Sequence, residues 1–351
     1  MTTPHSLSQD SSSQRQVLKA LESGSFFKLI GGGSLTELSI LEKLATCFTL
    51  AGVDCIDIAP QKSVVDAVSL GILAAKTKIK PLVMVSLPLD PDPHFRKIEL
   101  KIPDCILCGA CVPICPTEAF TLTPEVLTVS QPLCYGCGRC LPLCPTDALV
   151  IHPFLETEEV LPALTHPAVG AVEIHSRQAD PYMIAEFVQT FETGLKDKLL
   201  SICFRPSEHP TEKNLAFIES WQKAYQALNP SRSLLPLIIQ VDGNPMSATE
   251  EPEASLPAIL AARELIAAYD DQCKDSSHVE TSVFFTLSGG INHHTAGLIQ
   301  RDSRLSGVGM GTYARKSVWT SLLQGNMSQA VTTAETLVNK KFPPSKPVHS
   351  L

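Results

Sequence analysis

The sequence predicts an α/β fold, a (β/α)8 barrel interrupted after its third strand by a small, cysteine-rich α+β insert. Three observations predict it. Apolar strand-like runs alternate with amphipathic helical stretches through eight rounds. A sixteen-residue stretch, "CILCGACVPICPTEAF" from Cys105, returns as "CYGCGRCLPLCPTDAL" from Cys134 and breaks that rhythm once. The last two strands end in glycine-rich turns, "SGG" and "GVGMGT", where many such barrels hold a phosphate on backbone N–H groups. Length agrees: setting aside residues 98–152 and the first 23 leaves about 270 of 351, against about 250 for a typical barrel. An open doubly wound sheet is the alternative for the same alternation.

The elements follow in order. Residues 1–23 are rich in serine and glutamine and read as a mobile tail. "FFKLIGGG" is the first strand; the helix "SLTELSILEKLATCFTLAG" follows, with Ser34 or Thr36 as its cap. "DCIDIAP", "KSVVDAVSLGILAAKTK" and "PLVMVSLPL" supply strand, helix and strand, so 24–97 is the first part of the barrel. The insert, 98–152, holds two short strands in "AFTLTPEVLTV" and another in "ALVIHP". The rest of the barrel spans 153–340. Its strands are "GAVEIHS", "KLLSICF", "LLPLIIQVDG", "SVFFTLSGG" and "LSGVGMGTYA", each followed by a helical stretch. The last of these, "KSVWTSLLQGNMSQAVTTAETLVNKK", reads as one closing helix, and 341–351 is an extended tail.

Net charge is −8 and the pI near 5.7, which gives no basic footprint for nucleic acid. No apolar run is long enough to span a bilayer and the first residues have no export signal, so a cytoplasmic protein is expected. Twelve cysteines in such a chain point to metal or redox chemistry rather than disulfides.

Eight of them form two C-x2-C-x2-C-x3-C-P motifs. Three thiolates at this spacing wrap one cuboidal cluster, and the fourth, before proline, turns to the other. The expected sets are therefore crossed: Cys105, Cys108, Cys111 and Cys144 for one [4Fe–4S] cluster, Cys134, Cys137, Cys140 and Cys115 for the second. Gly109 and Gly138 let backbone approach the sulfurs, and Thr117 and Thr146 read as helix or turn starts. Zinc favours paired C-x2-C knuckles instead. The remaining cysteines, Cys47, Cys55, Cys203 and Cys273, have no ligand spacing and read as ordinary buried thiols.

In the barrel, Ser288, Gly289, Gly290, Gly309, Gly311 and Thr312 are the candidate site for FMN or another phosphate-bearing ligand; tight turns and close packing are the plainer reading of the glycines. Strand ends aim Lys28, Asp57, Glu173, His175, Arg205, Gln240, Asp242 and Asn244 at the mouth, as an acid–base set or as a satisfied polar lining. No nucleophile–base motif marks them, so no catalytic residue is assigned. The adjacent His293 and His294 diverge on a helix and are not expected to share a metal. An insert leaving after strand 3 emerges at the barrel's C-terminal face, which puts its clusters beside the mouth.

The segment around the doubled motif resembles bacterial two-cluster ferredoxins. Together with "FFKLIGGGSLTELS", "GVDCIDIAP" and "SGGINHHTAGLI", most of the chain resembles the cyanobacterial light-dependent period (LdpA) family of iron–sulfur circadian clock input proteins. The resemblance implies a redox-sensing regulator that reports light-dependent redox state to a clock input kinase and core clock proteins, with redox carriers as further partners. Two other readings share the same clusters: an FMN- or phosphate-ligand-binding barrel oxidoreductase fed by its ferredoxin-like insert, and a ferredoxin-type electron-carrier subunit.

Overall fold

The computed structural model describes residues 11–339 except 156, 178–179, 229–235, 244–248, 276–281 and 300–303. Helix α1 (Ser11–Glu22) precedes β1 (Phe26–Gly32), α2 (Leu38–Leu50), β2 (Cys55–Ile58), α3 (Lys62–Ala74) and β3 (Leu82–Pro88). The insert contributes β4 (Arg96–Leu100), β5 (Phe120–Leu122), β6 (Leu127–Val129) and β7 (Leu149–Pro153). The alternation resumes with α4 (Thr157–Leu164), β8 (Val169–His175), α5 (Pro181–Leu195), β9 (Leu199–Phe204) and α6 (Thr211–Leu228). It ends with β10 (Leu237–Asp242), α7 (Leu256–Asp275), β11 (Val283–Ser288), α8 (Thr295–Leu298), β12 (Leu305–Met310), α9 (Thr312–Leu323) and α10 (Met327–Val338).

Strands β1, β2, β3, β8, β9, β10, β11 and β12 pair in parallel in that order, and β12 returns to β1. This is the expected closed barrel, not an open sheet. β3 pairs directly with β8, so the insert leaves the ring and comes back without occupying a place in it. No helix among the described residues is long and apolar enough to cross a membrane.

Period-two alternation sorts the side chains. In β9, Leu200, Ile202 and Phe204 join the layer under the helices, whereas Leu199 joins a separate cluster inside the ring. That inner cluster also holds Phe26, Cys55, Met84, Ala171 and Ile238 at the N-terminal end of the barrel. Val17 and Leu21 of α1 close it from below. Residues 11–22 are thus a packed helix, a correction to the mobile segment expected over 1–23. Burying two apolar side chains of this kind contributes roughly 1.5–3 kcal/mol each, enough to seat a helix whose polar face reads as tail-like.

Other differences are local. The expected caps Ser34 and Thr36 do not cap α2, whose N-cap is Glu37 without a side-chain bond. Instead Ser34 donates to His94 O (2.9 Å) and the Thr36 N–H to Pro132 O (3.0 Å), so the β1–α2 loop is a ledge for the insert. The closing helix is two, α9 and α10, because Gly325 takes φ 73° and Asn326 caps the second through Gln329 N. The insert's outer ladder runs from Arg96↔Pro153 to Leu100↔Leu149, somewhat wider than 98–152. Residues 340–351 lie outside the described residues.

Helices α2 and α3 approach closely at Gly71, where an added Cβ would lie 2.2 Å from Glu42 O and 2.9 Å from the Ala45 Cβ. Gly71→Val should therefore destabilise the barrel by about 1–3 kcal/mol. Chemical denaturation checks this, with Gly297→Ala as the control whose new Cβ meets nothing within 4 Å.

Candidate functional site

The insert is built twice. β4 pairs with β7 and β5 with β6, both antiparallel. Left-handed backbone recurs at matching places: Leu107 (φ 56°) and Gly136 (66°), Gly109 (72°) and Gly138 (74°), Glu118 (54°) and Asp147 (52°). Each pair is 29 residues apart, the offset of the sequence repeat. The backbone bends inward at the same steps in both halves, which lets three cysteines of each motif face one hollow.

Two hollows result, each with about 320 Å³ of empty volume. Cys105, Cys108, Cys111 and Cys144 line the first. Cys134, Cys137, Cys140 and Cys115 line the second. Each hollow is thus lined by three thiols of one motif and the fourth of the other, and none of the eight is in a disulfide. Thr117 and Thr146 start no helix and lie in turns, the other form expected of them. Their hydroxyls donate to Leu133 O (2.9 Å) and Asp104 O (2.7 Å), tying each half to the other, and both lie beside the traded sulfurs.

The donor set fits iron–sulfur clusters. Backbone N–H groups already point at sulfur: Ala119 to Cys115 Sγ (3.3 Å), Ala148 to Cys144 Sγ (3.2 Å) and Ile98 to Cys134 Sγ (3.4 Å). Such donors stabilise charge on a ligating sulfur. Burial pushes the Cys140 thiol up to about 12 and raises Cys111 and Cys134. At Cys144 a burial penalty is outweighed by the N–H groups of Thr146 and Ala148, and the thiol is lowered. Cys111, Cys134 and Cys140 therefore hold protons until a metal displaces them.

The halves differ where they meet the barrel. Ile106 is 62% exposed, but its counterpart Tyr135 is 4% exposed and packs at the mouth. The Arg315 guanidinium of α9 stacks over the Tyr135 ring at 4.8 Å and also donates to Ile30 O and Thr312 Oγ1. Arg315 is buried, and among the described residues no carboxylate lies within ion-pair distance of it. On the insert's other edge, Arg96 Nε donates to Gly136 O (3.1 Å), and buried Lys97 donates to Gln131 O and to Cys134 O (3.2 Å). Sequence reasoning missed Tyr135, Arg315 and Lys97. The available signal was one of the places where the twin motifs differ, "CILC" against "CYGC".

The mouth itself is an open cleft with about 660 Å³ of empty volume. Tyr135 lines it together with Ser288, Gly289, Gly290, Gly309, Gly311 and Thr312. All six candidate residues are therefore brought together. Packing accounts for part of the glycine: an added Cβ at Gly290 would meet Ala254 O at 2.2 Å, and one at Gly289 would meet Gly243 N at 2.6 Å. The Ser288 hydroxyl donates to Asp242 (2.9 Å), which also pairs with Arg205 (3.4 Å).

Below the mouth lies a buried polar layer. The Lys28 ammonium donates to Glu173 Oε2, which also accepts from Ser201 (2.8 Å), while Gln240 Nε2 reaches Glu173 Oε1 at 2.9 Å. Ser86 donates to Asp57 (2.5 Å). Burial opposes charge on both members of the main pair; Lys28 and His175 nonetheless hold the Glu173 carboxyl down, and Glu173 and Asp57 hold Lys28 charged. Most of the expected mouth residues are thus an internally satisfied lining. Asn244 lies outside the described residues. Cys47, Cys55 and Cys203 are buried as expected, whereas Cys273 is exposed on α7, a correction. The rings of His293 and His294 do not diverge but lie 3.8 Å apart in the turn before α8, a correction, and His293 Nδ1 lies 2.6 Å from Tyr313 Oη.

Fold and site define a class: a (β/α)8 barrel protein that carries a separate, paired-cysteine domain for iron–sulfur clusters. Residues 103–153 match the model of the LdpA Fe-S cluster-binding domain, and residues 163–341 match the Light dependent period A C-terminal domain. The chain is 30% identical over 289 residues to Light dependent period A of Synechococcus elongatus, covering 81% of this chain and 76% of that one. The chain belongs to the Light dependent period A family. Among solved structures it is similar to tryptophan synthase of Mycobacterium tuberculosis (TM-score 0.45, 10% identity, 96% of this chain and 99% of that one). It is also similar to 2-keto-3-deoxy-6-phospho-gluconate aldolase of Zymomonas mobilis (TM-score 0.40, 8% identity, 93% and 97%). Both are too distant to inform function, and the barrel assignment rests on the strand pairing.

Proposed function

We propose that this protein is a redox-sensing regulator holding two [4Fe–4S] clusters in a ferredoxin-like insert, one set by Cys105, Cys108, Cys111 and Cys144, the other by Cys115, Cys134, Cys137 and Cys140. The observation that carries this reading is the shared residue Tyr135, which lies between two ligands of the inner hollow and also lines the barrel mouth. When bound, each cluster would accept and release one electron. The chain's own part is to make that change of charge felt. Tyr135 and Arg315 form the contact between the inner hollow and the barrel. Arg315 in turn holds Ile30 O at the end of β1 and Thr312 at the start of α9. A charge added beside a buried cation acts in a low dielectric, where it is weakly screened. The signal read would be light-dependent redox state, and the receivers a circadian clock input kinase and core clock proteins; this part rests on family membership.

The test is hydrogen exchange on anaerobic holoprotein, oxidised against dithionite-reduced. Exchange in 312–323 should differ between the two states, and Tyr135→Leu should remove the difference while iron content stays the same. Equal exchange in both states would sink the proposal.

A second reading, an oxidoreductase or binding barrel for FMN or another phosphate-bearing ligand, is favoured by one observation. Arg315, without a carboxylate partner among the described residues, lies beside Gly311 and the open N-terminus of α9, which suits an anion. Denatured anaerobic protein should release flavin in near-equal amount with the chain if this reading holds. About eight irons per chain with no organic cofactor would favour the sensor, or a plain electron carrier.

A further inference from the structure

We infer that the junction between barrel and insert carries a divalent transition-metal site separate from the cysteine hollows, formed by Asp92, His94 and His175. The first two lie on the segment leading from β3 into the insert, and His175 ends β8. One ligand atom from each lies within 4.8 Å of the others. Both imidazoles turn Nδ1 toward one oxygen: Asp92 Oδ1 is 2.7 Å from His94 Nδ1 and 3.7 Å from His175 Nδ1. The rings stand 4.9 Å apart, tilted by 55° rather than stacked.

The surroundings hold this arrangement in place. The His94 N–H donates to Asp92 Oδ1 at 2.8 Å, which fixes the carboxylate. Phe95 packs edge-on against His175 at 5.3 Å. Glu173 Oε1 is 3.4 Å from His175 Nε2. A carboxylate on the far nitrogen of a ligating imidazole fixes its tautomer, frees the near lone pair and raises ligand basicity. Two imidazoles and one carboxylate suit zinc or another borderline divalent metal, and they leave coordination positions open. His94 and His175 line the mouth cavity, so those positions face it. The ion would take the place of the direct contact between His94 and Asp92, and would pin the linker of the insert to the fourth strand of the ring.

The test uses anaerobic holoprotein loaded with zinc and desalted, with iron and zinc measured on the same sample. About one zinc per chain should be retained with iron unchanged. Zinc-edge X-ray absorption should show only nitrogen and oxygen neighbours near 2.0–2.1 Å. His94→Ala and Asp92→Ala, checked for unchanged iron content, should each weaken retention at least tenfold. Absence of retained zinc, sulfur neighbours near 2.3 Å, zinc gained only as iron is lost, or full retention in both variants would each overturn the inference.

Discussion

Replacing Cys115 and Cys137 together by serine should lower bound iron from about eight to about four per chain, while replacing Cys115 and Cys108 together should remove nearly all of it. The two double variants delete the same number of thiols, and both include Cys115. They differ only in whether the second thiol lines the same hollow. Cys115 belongs by sequence to the first motif, yet it lines the hollow of Cys134, Cys137 and Cys140. Cys108 lines the other. If each motif instead served its own cluster, the outcomes would be exchanged. Because ligand binding supplies much of the order of such a small domain, stability should follow iron. Variants that lose both clusters should lose the β4–β7 and β5–β6 ladders while keeping the barrel. Iron and sulfide analysis with far-UV circular dichroism reads both effects.

Lys28→Met should destabilise the barrel by about 3–5 kcal/mol, because it strands a buried carboxylate. Lys28 and Glu173 are both about 1% exposed, and Glu173 has three further polar neighbours but no other Lys or Arg partner among the described residues. Adding Glu173→Gln should recover much of the loss, since a buried pair removed together costs far less than one partner removed alone. The pH dependence gives a second readout. In the native chain the Glu173 carboxyl is held below its ordinary value. The folded state therefore binds fewer protons there than the unfolded one. Its contribution is present above the unfolded carboxylate range near 4.3 and is lost as pH falls through the lower folded value. In Lys28→Met the main charge opposing burial is gone and only His175 is left against it, so that carboxyl rises relative to the native chain. The gap between variant and native stability should then narrow as pH is lowered from 8 to 5. Denaturant titrations across that range would refute this if the gap stayed constant or widened.

Much of the molecule was legible in its pattern. Periodicity marked all eight barrel strands, and the doubled cysteine motif marked both hollows, because these features depend on neighbours close in sequence. The errors came where a residue's role is set from afar. Val17 and Leu21 read as tail until the floor of the ring gave them a partner. Ser34 and Thr36 had cap chemistry, but the Ser34 hydroxyl instead binds the His94 carbonyl of the linker and the Thr36 N–H the Pro132 carbonyl of the insert. The final helix looked continuous because Gly325 acts through a left-handed turn that composition alone does not require.

By itself the sequence determined the ring of alternating strands and helices, the point of insertion, and which cysteines are spaced to share a metal. All three follow from backbone periodicity and fixed short spacings. Only the tertiary structure decided that Tyr135 and Arg315 meet, that Glu173 is held between Lys28 and His175, and that Asp92 and His94 converge on His175. Those contacts join segments far apart along the chain, and only closure of the barrel together with docking of the insert determines which of them become neighbours.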